Sequence, residues 1–247
     1  MKHRIWSIAL IALFLTVPVL AQEGESEEAE ESPWKGSLGL AYLATSGNTD
    51  TSTFGLDFNL DREPGPWGLE VVGQFNRADD SGVTTAERYF LAGRALRSLG
   101  KRWDVFAGLS FEKDQFAGLD LRSLVGAGLV YKALLGPTHN LSFDFGLTWT
   151  DEDRIEPEPD VDYIGGMAGL AYEWKISDTA SFTQRLVYFP NFDDSDDWRV
   201  DSDTGIQAAI SKWLALRFGY ELRYRNEPIG DAEDTDTTTK FSVVLNF

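Results

Sequence analysis

The sequence predicts an all-β protein: a closed antiparallel transmembrane β-barrel of about 12 strands, with its N- and C-termini in the periplasm. Three observations favour this fold. Apolar residues recur at every second position from Trp34 to Phe247, the alternating segments are long, and aromatic residues gather at the segment ends. A period of two indicates a strand with one apolar face, and aromatic girdles are typical of outer-membrane barrels.

The alternation is clearest in residues 51–62. There, four large apolar residues occupy every second position, and small or polar residues lie between them. A helix would scatter the apolar residues around its circumference, whereas a strand places them on one face. Segments of this kind are expected at 34–46, 51–62, 67–78, 84–97, 102–114, 120–133, 140–151, 161–174, 180–192, 198–211, 213–226 and 236–247. Each has the roughly nine to eleven residues that a tilted strand needs to cross hydrocarbon.

The connections between segments differ on the two sides of the predicted barrel. Tight turns are expected where Gly, Pro, Ser and Asp favour chain reversal, at 63–66, 99–101, 135–138 and 176–179. Acidic links are expected on the other side, at 46–50, 79–82, 151–160, 193–197 and 227–234, and Gln115–Leu119 joins the fifth segment to the sixth. Outer-membrane barrels have short periplasmic turns and longer outer loops, so we expect the acidic links to face away from the cell.

The chain begins with the features of an exported protein. Residues 1–21 resemble a cleavable Sec signal peptide, with a basic start, an apolar run at Ile5–Val17 and the small residue Ala21 before the expected cleavage site. Residues 22–33 form a Glu-rich leader that we expect to be disordered. Residues 34–247 are then the barrel domain, in the outer membrane of a Gram-negative bacterium.

Composition excludes several classes of function. The chain has 22 Lys and Arg against 40 Asp and Glu, a net charge of −18. Nucleic acid requires cationic patches, so we expect no nucleic-acid partner. The chain has no Cys, so neither a disulfide framework nor a thiolate metal site is expected.

The polar face of the predicted strands should line the lumen of the barrel. It carries both acidic and basic side chains, as expected of a wet or ion-paired interior. Twelve strands lie between small barrels filled by side chains and porins with open channels, so the sequence leaves a narrow pore and a plug as alternatives. The residues assigned to the lumen are Asp57, Asn59, Asp61, Glu70, Gln74, Asp104, Glu112, Arg122, Lys132, Asp144, Arg185, Arg199, Asp201, Arg217, Glu221, Arg223, Arg225 and Lys240.

A soluble β-sandwich is the alternative fold, since it also alternates polar and apolar residues. The barrel is favoured because the apolar face is uniform over segments that are long for a soluble sheet. An open sheet edge in lipid would leave backbone groups unpaired, so a membrane-spanning sheet is expected to close on itself.

The last segment carries an apolar row that ends at the C-terminal residue. Such a row resembles the signal read by the outer-membrane barrel assembly machinery, which is therefore an expected partner during biogenesis. Outer-membrane lipid and lipopolysaccharide are the other expected partners. The residues of this expected assembly signal are Phe241, Val243, Leu245 and Phe247.

Two short motifs resemble those of a known family. One opens the second segment and the other follows the fifth; they comprise Ser46, Gly47, Asn48, Thr49 and Asp50, and Phe116, Ala117, Gly118, Leu119, Asp120, Leu121 and Arg122. In combination and spacing, they resemble the YdiY-like family of Gram-negative bacteria, domain of unknown function 481, often labelled salt-induced outer membrane proteins. The resemblance implies an outer-membrane barrel of undefined function and supplies no catalytic motif.

The expected mature chain offers little for catalysis. His139 is its one histidine and lies in a predicted periplasmic turn, without the neighbours that a Ser–His site requires. Paired aspartates such as Asp79 and Asp80 are adjacent in sequence, so their side chains should point to opposite faces. We therefore expect no enzyme activity, no cofactor and no built metal site.

Three hypotheses follow for function. The first is a non-enzymatic barrel, either an envelope structural protein or a narrow polar channel, with a link to salt or osmotic stress through the family label. The second is an outer-membrane hydrolase acting on lipid or peptide. The third is a surface-binding module whose acidic outer loops bind divalent cations.

Overall fold

The strands form a single closed sheet. In the computed structural model, which describes residues 32–45, 51–62 and 67–247, twelve antiparallel strands close into a barrel in sequence order, and the last pairs with the first. They are β1 (Trp34–Thr45), β2 (Thr51–Arg62), β3 (Trp67–Asp80), β4 (Val83–Ser98), β5 (Trp103–Asp114), β6 (Leu119–Leu135), β7 (His139–Arg154), β8 (Val161–Lys175), β9 (Ala180–Pro190), β10 (Trp198–Ala209), β11 (Leu214–Arg225) and β12 (Thr235–Asn246). The predicted barrel is confirmed.

Several predictions fall on other parts of the chain. The expected signal peptide, the leader up to residue 31, the first family motif at 46–50 and the turn at 63–66 lie outside the described residues. A short 3-10 helix, Gln115–Ala117, joins β5 to β6. Among the residues that the structure describes, no helix has both the length and the apolar character needed to cross a bilayer.

The strands keep pairing beyond the ends of the apolar alternation. β7 extends to Arg154, although the sequence pattern predicts its end near residue 151, because Asp151 and Glu152 still pair with both neighbouring strands. The apolar pattern reports burial in lipid, whereas the backbone ladder also continues in water. The link predicted at 79–82 is also shorter than expected: only Ser81 and Gly82 connect β3 to β4. Both have positive φ, 51° and 81°, as a two-residue hairpin turn requires.

The outer face is apolar over most of the barrel and ends in aromatic side chains. Trp34, Trp67, Trp103, Trp174 and Trp213 lie at the periplasmic ends of their strands or in the adjoining turn, and all are exposed. Such a row is expected at a membrane interface, where aromatic rings sit at the level of the lipid headgroups.

A group of three polar side chains interrupts the apolar outer face on β9 and β10. Gln184, Ser202 and Thr204 lie on neighbouring strands β9 and β10 and bond to one another. The Gln184 amide donates to Ser202 at 3.0 Å and accepts from the Thr204 hydroxyl at 2.6 Å. These mutual bonds satisfy polar groups that lipid could not.

The barrel closes through a short seam between β12 and β1. Their register pairs Ser37 with Asn246 and continues to Leu40 with Val243. Phe247 extends the seam, because its backbone N–H donates to Gly36 O at 3.0 Å and its carbonyl accepts from Gly36 N at 2.8 Å. The Phe247 ring lies where a Cβ at Gly36 would project.

Candidate functional site

The strand register places all the residues assigned to the lumen on one face of the sheet. Directly paired residues share a face, and the pairs include Asp61 with Glu70, Glu112 with Arg122, and Asp201 with Arg223. The Gln74 amide donates to Glu221 at 3.1 Å, although β3 and β11 are not neighbours in the sheet. A bond between such strands must cross the interior, so this is the inner face.

The outer half of the lumen holds a dense group of ion pairs, which we call the outer ionic cluster. Its members come from the outer ends of seven strands and from one outer loop, so distant parts of the sequence meet inside the mouth of the barrel. Most of these side chains are largely buried. The members are Arg88, Glu112, Asp114, Arg122, Glu152, Arg154, Asp197, Arg199, Arg223, Arg225 and Asp236.

Glu152 lies at the centre of this cluster and is 1% exposed. Its Oε1 accepts from Arg122 Nε at 2.8 Å and from Arg225 Nη1 at 3.1 Å. Its Oε2 accepts from Arg154 Nη2 and Arg225 Nη2, both at 3.1 Å. Three guanidinium groups therefore compensate the desolvation of one buried carboxylate.

Glu112 links opposite walls of the barrel. It accepts from Arg88 Nε at 2.7 Å and from Arg122 Nη1 at 2.9 Å, both on strands beside its own. Arg223, on β11, reaches it from across the lumen at 3.3 Å and bonds Asp114 at 2.8 Å. Because β5 and β11 are six strands apart in the sheet order, these contacts span the lumen at its outer end.

The network continues toward the middle of the barrel. Arg88 donates to Gln74 Oε1 at 2.9 Å, and Gln74 donates onward to Glu221. Lys240, which is 8% exposed, donates to Glu221 at 2.8 Å and to Asp57 at 3.0 Å. A single chain of polar contacts thus connects the outer ionic cluster to the centre of the lumen.

The periplasmic half is filled more by packing and by separate ion pairs. Arg94 bonds Glu70 at 2.5 Å and Asp144 at 2.9 Å, and its guanidinium lies 5.7 Å from the Phe106 ring. Phe106 is 4% exposed and reaches the site where a Cβ on Gly146 would lie. Further ion pairs join Lys132 to Asp104 and Arg217 to Asp203, both at 2.7 Å.

Arg199 is the cluster member with two donors that find no partner in the part of the chain that the structure describes. It is 9% exposed and stacks 4.3 Å from the Phe189 ring. Its Nε and Nη1 have no hydrogen-bond acceptor among the described residues, and Glu152 is 4.0 Å from Nη1. A cavity of about 50 Å³ beside it is lined by both charges, since Arg122, Arg223 and Arg225 share its wall with carboxylates such as Glu112 and Asp114. This is space for a few water molecules.

One outer loop, residues 226–234, folds over this cavity. Pro228 and Ile229 line the cavity, and Ile229 is 5% exposed. Gly118 lies beneath Ile229 with φ of 73°, and a Cβ there would approach the Ile229 side chain to 2.9 Å. Gly118 of the second family motif therefore provides both the backbone conformation and the space that allow Ile229 of this loop to pack.

Other residues of that motif have separate roles. The Ala117 N–H donates to Asp114 at 3.2 Å and caps the short helix, and Phe116 is exposed. Asp120 pairs with Lys113, whereas Arg122 bonds Glu112 and Glu152 inside the barrel. Asp120 and Arg122, although two residues apart, therefore pair with different partners.

Sequence reasoning missed several inner-face charges. Six of the missed residues are Arg88, Arg94, Asp114, Glu152, Asp203 and Asp236. Each lies an even number of residues from an inner-face residue in its own strand, so strict counting along the strand would have found it. Glu152 and Asp236 escaped because they lie beyond the apolar part of their strands.

Two features bear on the alternative functions. Carboxylates of Asp194, Asp196 and Glu227 lie within 4.8 Å of one another at the outer surface. Exposed acidic groups are common without an ion, so this cluster alone does not identify a metal site. The His139 ring stacks on Tyr172 and Trp174, and its Nδ1 is 2.8 Å from the Tyr172 hydroxyl, which is a packing arrangement at the aromatic girdle.

The sequence matches a known family along nearly the whole barrel. Residues 38–247 match the family described as "Protein of unknown function, DUF481". A relative, "Uncharacterized protein YdiY" of Escherichia coli (strain K12), is 27% identical over 214 residues, covering 86% of this chain and 83% of the relative. The match confirms the family resemblance seen in the sequence.

Solved structures share the architecture at low sequence identity. An outer membrane channel from Pseudomonas putida F1 is 13% identical with a TM-score of 0.53, covering 91% of this chain and 100% of that one. The NanC porin is 10% identical with a TM-score of 0.48, covering 86% of this chain and 97% of that one. The likeness to the first shows that the fold is that of an outer-membrane β-barrel.

Proposed function

The chain belongs to the DUF481 family, and from this premise we propose that it is a narrow, non-enzymatic channel of the Gram-negative outer membrane, constricted at its outer mouth by the outer ionic cluster. The observation that carries the proposal is the contact of Arg223 with Glu112 and Asp114 across the lumen. In this proposal the chain is exported through its Sec signal peptide.

The chemistry of the lumen favours a channel over a purely structural barrel. A buried ion pair gives little net stability compared with well-packed apolar residues, since desolvation offsets the attraction between the charges. A barrel selected for stability alone would therefore gain little from a charged interior. A polar path that runs from Asp57 to the outer ionic cluster instead suits hydrated ions or small polar solutes.

The outer surface supports a preference for cations. Exposed carboxylates surround the mouth on several loops and strand ends, and they include Asp120, Asp193, Asp194, Asp196, Glu227 and Glu233. Acidic rings raise the local concentration of cations and select for them in channels. We therefore expect the channel to be cation-selective.

The test is conductance of the refolded mature protein in planar bilayers. The native protein should show small conductance with a cation-selective reversal potential in a salt gradient. Arg223→Gln should raise the unitary conductance several-fold, because it removes the contacts with Glu112 and Asp114 that span the outer end of the lumen. Arg77→Gln is the matched control, since Arg77 bonds Asp79 at 3.0 Å on the outer face and should leave conductance unchanged.

A silent barrel would contradict the proposal. If neither the native protein nor Arg223→Gln conducts, although both are folded, the lumen is a plug and the structural hypothesis holds. The burial of Glu152 and Asp114, which are 1% and 4% exposed at the outer end of the lumen, favours that second candidate.

A further inference from the structure

Tryptophan and arginine alternate around part of the periplasmic rim, on the outer face of the barrel. Trp34 on β1 is the cross-strand partner of Arg62 on β2, and the guanidinium lies 5.8 Å from the indole ring. The pattern repeats one pair further on, where Trp67 on β3 partners Arg97 on β4 at 5.1 Å. Trp103 then opens β5. We name this surface the Trp–Arg arc; it comprises Trp34, Arg62, Trp67, Arg97, Lys101, Arg102 and Trp103.

Within residues 32–45, 51–62 and 67–247, the cations of the arc form no ion pair. Arg62 donates to the Trp67 carbonyl at 3.4 Å, and Arg102 donates to the Ala133 carbonyl at 2.9 Å. Of the described carboxylates, none forms an ion pair with Arg62, Arg97, Lys101 or Arg102. Arg77, at the other end of β3, instead bonds Asp79 at 3.0 Å. Among the described residues the positive charge of the arc is therefore uncompensated, in a chain whose net charge is −18.

The arc lies at the membrane interface, where lipid headgroups can contact it. Short turns mark the periplasmic side of an outer-membrane barrel, and the ends of β1 to β5 that carry the arc lie on that side, at the level of the inner leaflet. Trp34, Trp67 and Trp103 are 40–50% exposed on the outer face, and tryptophan at a membrane interface lies at the level of the lipid headgroups. Arg62 and Arg97 share this row with the indoles, so their guanidinium groups lie beside lipid.

We infer that the Trp–Arg arc is a binding site for the phosphate headgroups of anionic phospholipids in the inner leaflet. Guanidinium groups bind phosphate through charge-assisted hydrogen bonds. An indole stacked on the guanidinium orients it and covers its apolar face. A zwitterionic lipid would place its own ammonium or choline group among unpaired cations, so an anionic headgroup is favoured. This inference is independent of conductance.

The test measures lipid selectivity at the protein surface. The refolded mature protein is placed in phosphatidylcholine vesicles with trace spin-labelled phosphatidylglycerol or spin-labelled phosphatidylcholine, and the relative association of each label is measured by electron paramagnetic resonance. The native protein should prefer phosphatidylglycerol. Each arginine lost should reduce this preference up to about fivefold, the equivalent of roughly 1 kcal/mol per cation near a membrane surface, so Arg62→Gln with Arg97→Gln should nearly abolish it.

Two control variants test whether the preference depends on the charge and on the position of these arginines. Arg62→Lys with Arg97→Lys keeps the charge and should retain most of the preference. Arg77→Gln removes an outward-facing arginine from the opposite end of β3 and should leave the preference intact. Folding of each variant is checked by the mobility shift on heating in gel electrophoresis. If the double glutamine variant does not fold, the single variant Arg97→Gln is measured in its place.

Two outcomes would overturn the inference. The native protein could show no preference for the anionic lipid, or the preference could survive in the folded glutamine variant. If it survives and the same variant no longer binds isolated peptidoglycan, the arc is a contact for a periplasmic polymer instead.

Discussion

Buried charge at the centre of the outer ionic cluster is tolerated because Glu112 and Glu152 are each shared among several arginines. Glu152 is the clearest example, since both its oxygens accept from more than one guanidinium. Breaking a buried ion pair leaves an uncompensated charge and lowers the free energy of unfolding substantially. Removing a donor lowers it little when no buried acceptor is left unpaired. Arg225 and Arg199 are cross-strand partners that represent these two cases.

Arg225→Met should lower the free energy of unfolding by at least about 2 kcal/mol, because Glu152 and Asp197 both lose bonds to it. Arg199→Met should change it by less than about 1 kcal/mol, because Arg199 Nε and Nη1 bond no acceptor that would be left unpaired. Urea unfolding in detergent micelles, followed by tryptophan fluorescence, measures both. Equal losses in the two variants would show that Arg199 has a structural partner.

Alternation along each strand predicts which way a side chain faces but not what it touches. The lumen assignment of Glu112 and Arg223 follows from counting in twos along β5 and β11. Their contact across the barrel depends on closure of the sheet and on the reach of an arginine side chain. Nothing in the spacing of the two residues, which lie 111 positions apart, indicates that contact.

At the scale of single elements, the connection from β5 to β6 determines how the mouth is covered. The short helix Gln115–Ala117 ends at Gly118, and the Ile155 N–H donates to the Gly118 carbonyl at 3.0 Å. Gly118 therefore connects three outer segments: its own turn, the loop after β7 and, through Ile229, the loop after β11. The strand bounds were predictable to within three residues, but this meeting of loops was not.

Gly118→Ala should destabilise the protein and loosen the loop at 226–234. The added methyl group would strain a residue with φ of 73° and displace Ile229. Gly82→Ala is the matched control, since Gly82 has φ of 81° with open space around its Cβ position. Both should lose about 1–2 kcal/mol for the left-handed conformation. Only Gly118→Ala should also speed cleavage by a Glu-specific protease after Glu233, in the loop that Ile229 anchors. Equal cleavage in both variants would contradict the packing role of Ile229.

At the scale of the whole molecule, the seam between β12 and β1 is the least extensively paired contact between strands. Its register covers four residue pairs, whereas β1 and β2 are paired over twelve. The two backbone bonds between Phe247 and Gly36 lengthen this seam. An unclosed edge in lipid is costly, so the terminal residue contributes to closure.

Deletion of Phe247 should reduce the fraction that refolds in detergent without any assembly machinery, because the seam loses two backbone bonds, each contributing about 1 kcal/mol. Phe241→Ala is the control: Phe241 is 75% exposed on the outer face of the same strand, and the seam remains intact. The fraction folded is measured by the gel mobility shift on heating. If the assembly-signal prediction is correct, both changes should impair barrel assembly in cells. Equal refolding of the two variants in vitro would refute the contribution of Phe247 to closure of the seam.

The sequence by itself determined the fold class, the strand order and the face of most charged residues. Those features depend on local periodicity and turn chemistry, which neighbouring residues carry. Only the tertiary structure decided which charges pair, that Arg199 has unpartnered donors, and that Trp34, Trp67 and Trp103 lie in one arc with arginines. These depend on cross-strand register, on closure and on side-chain reach, which bring together residues from distant parts of the chain.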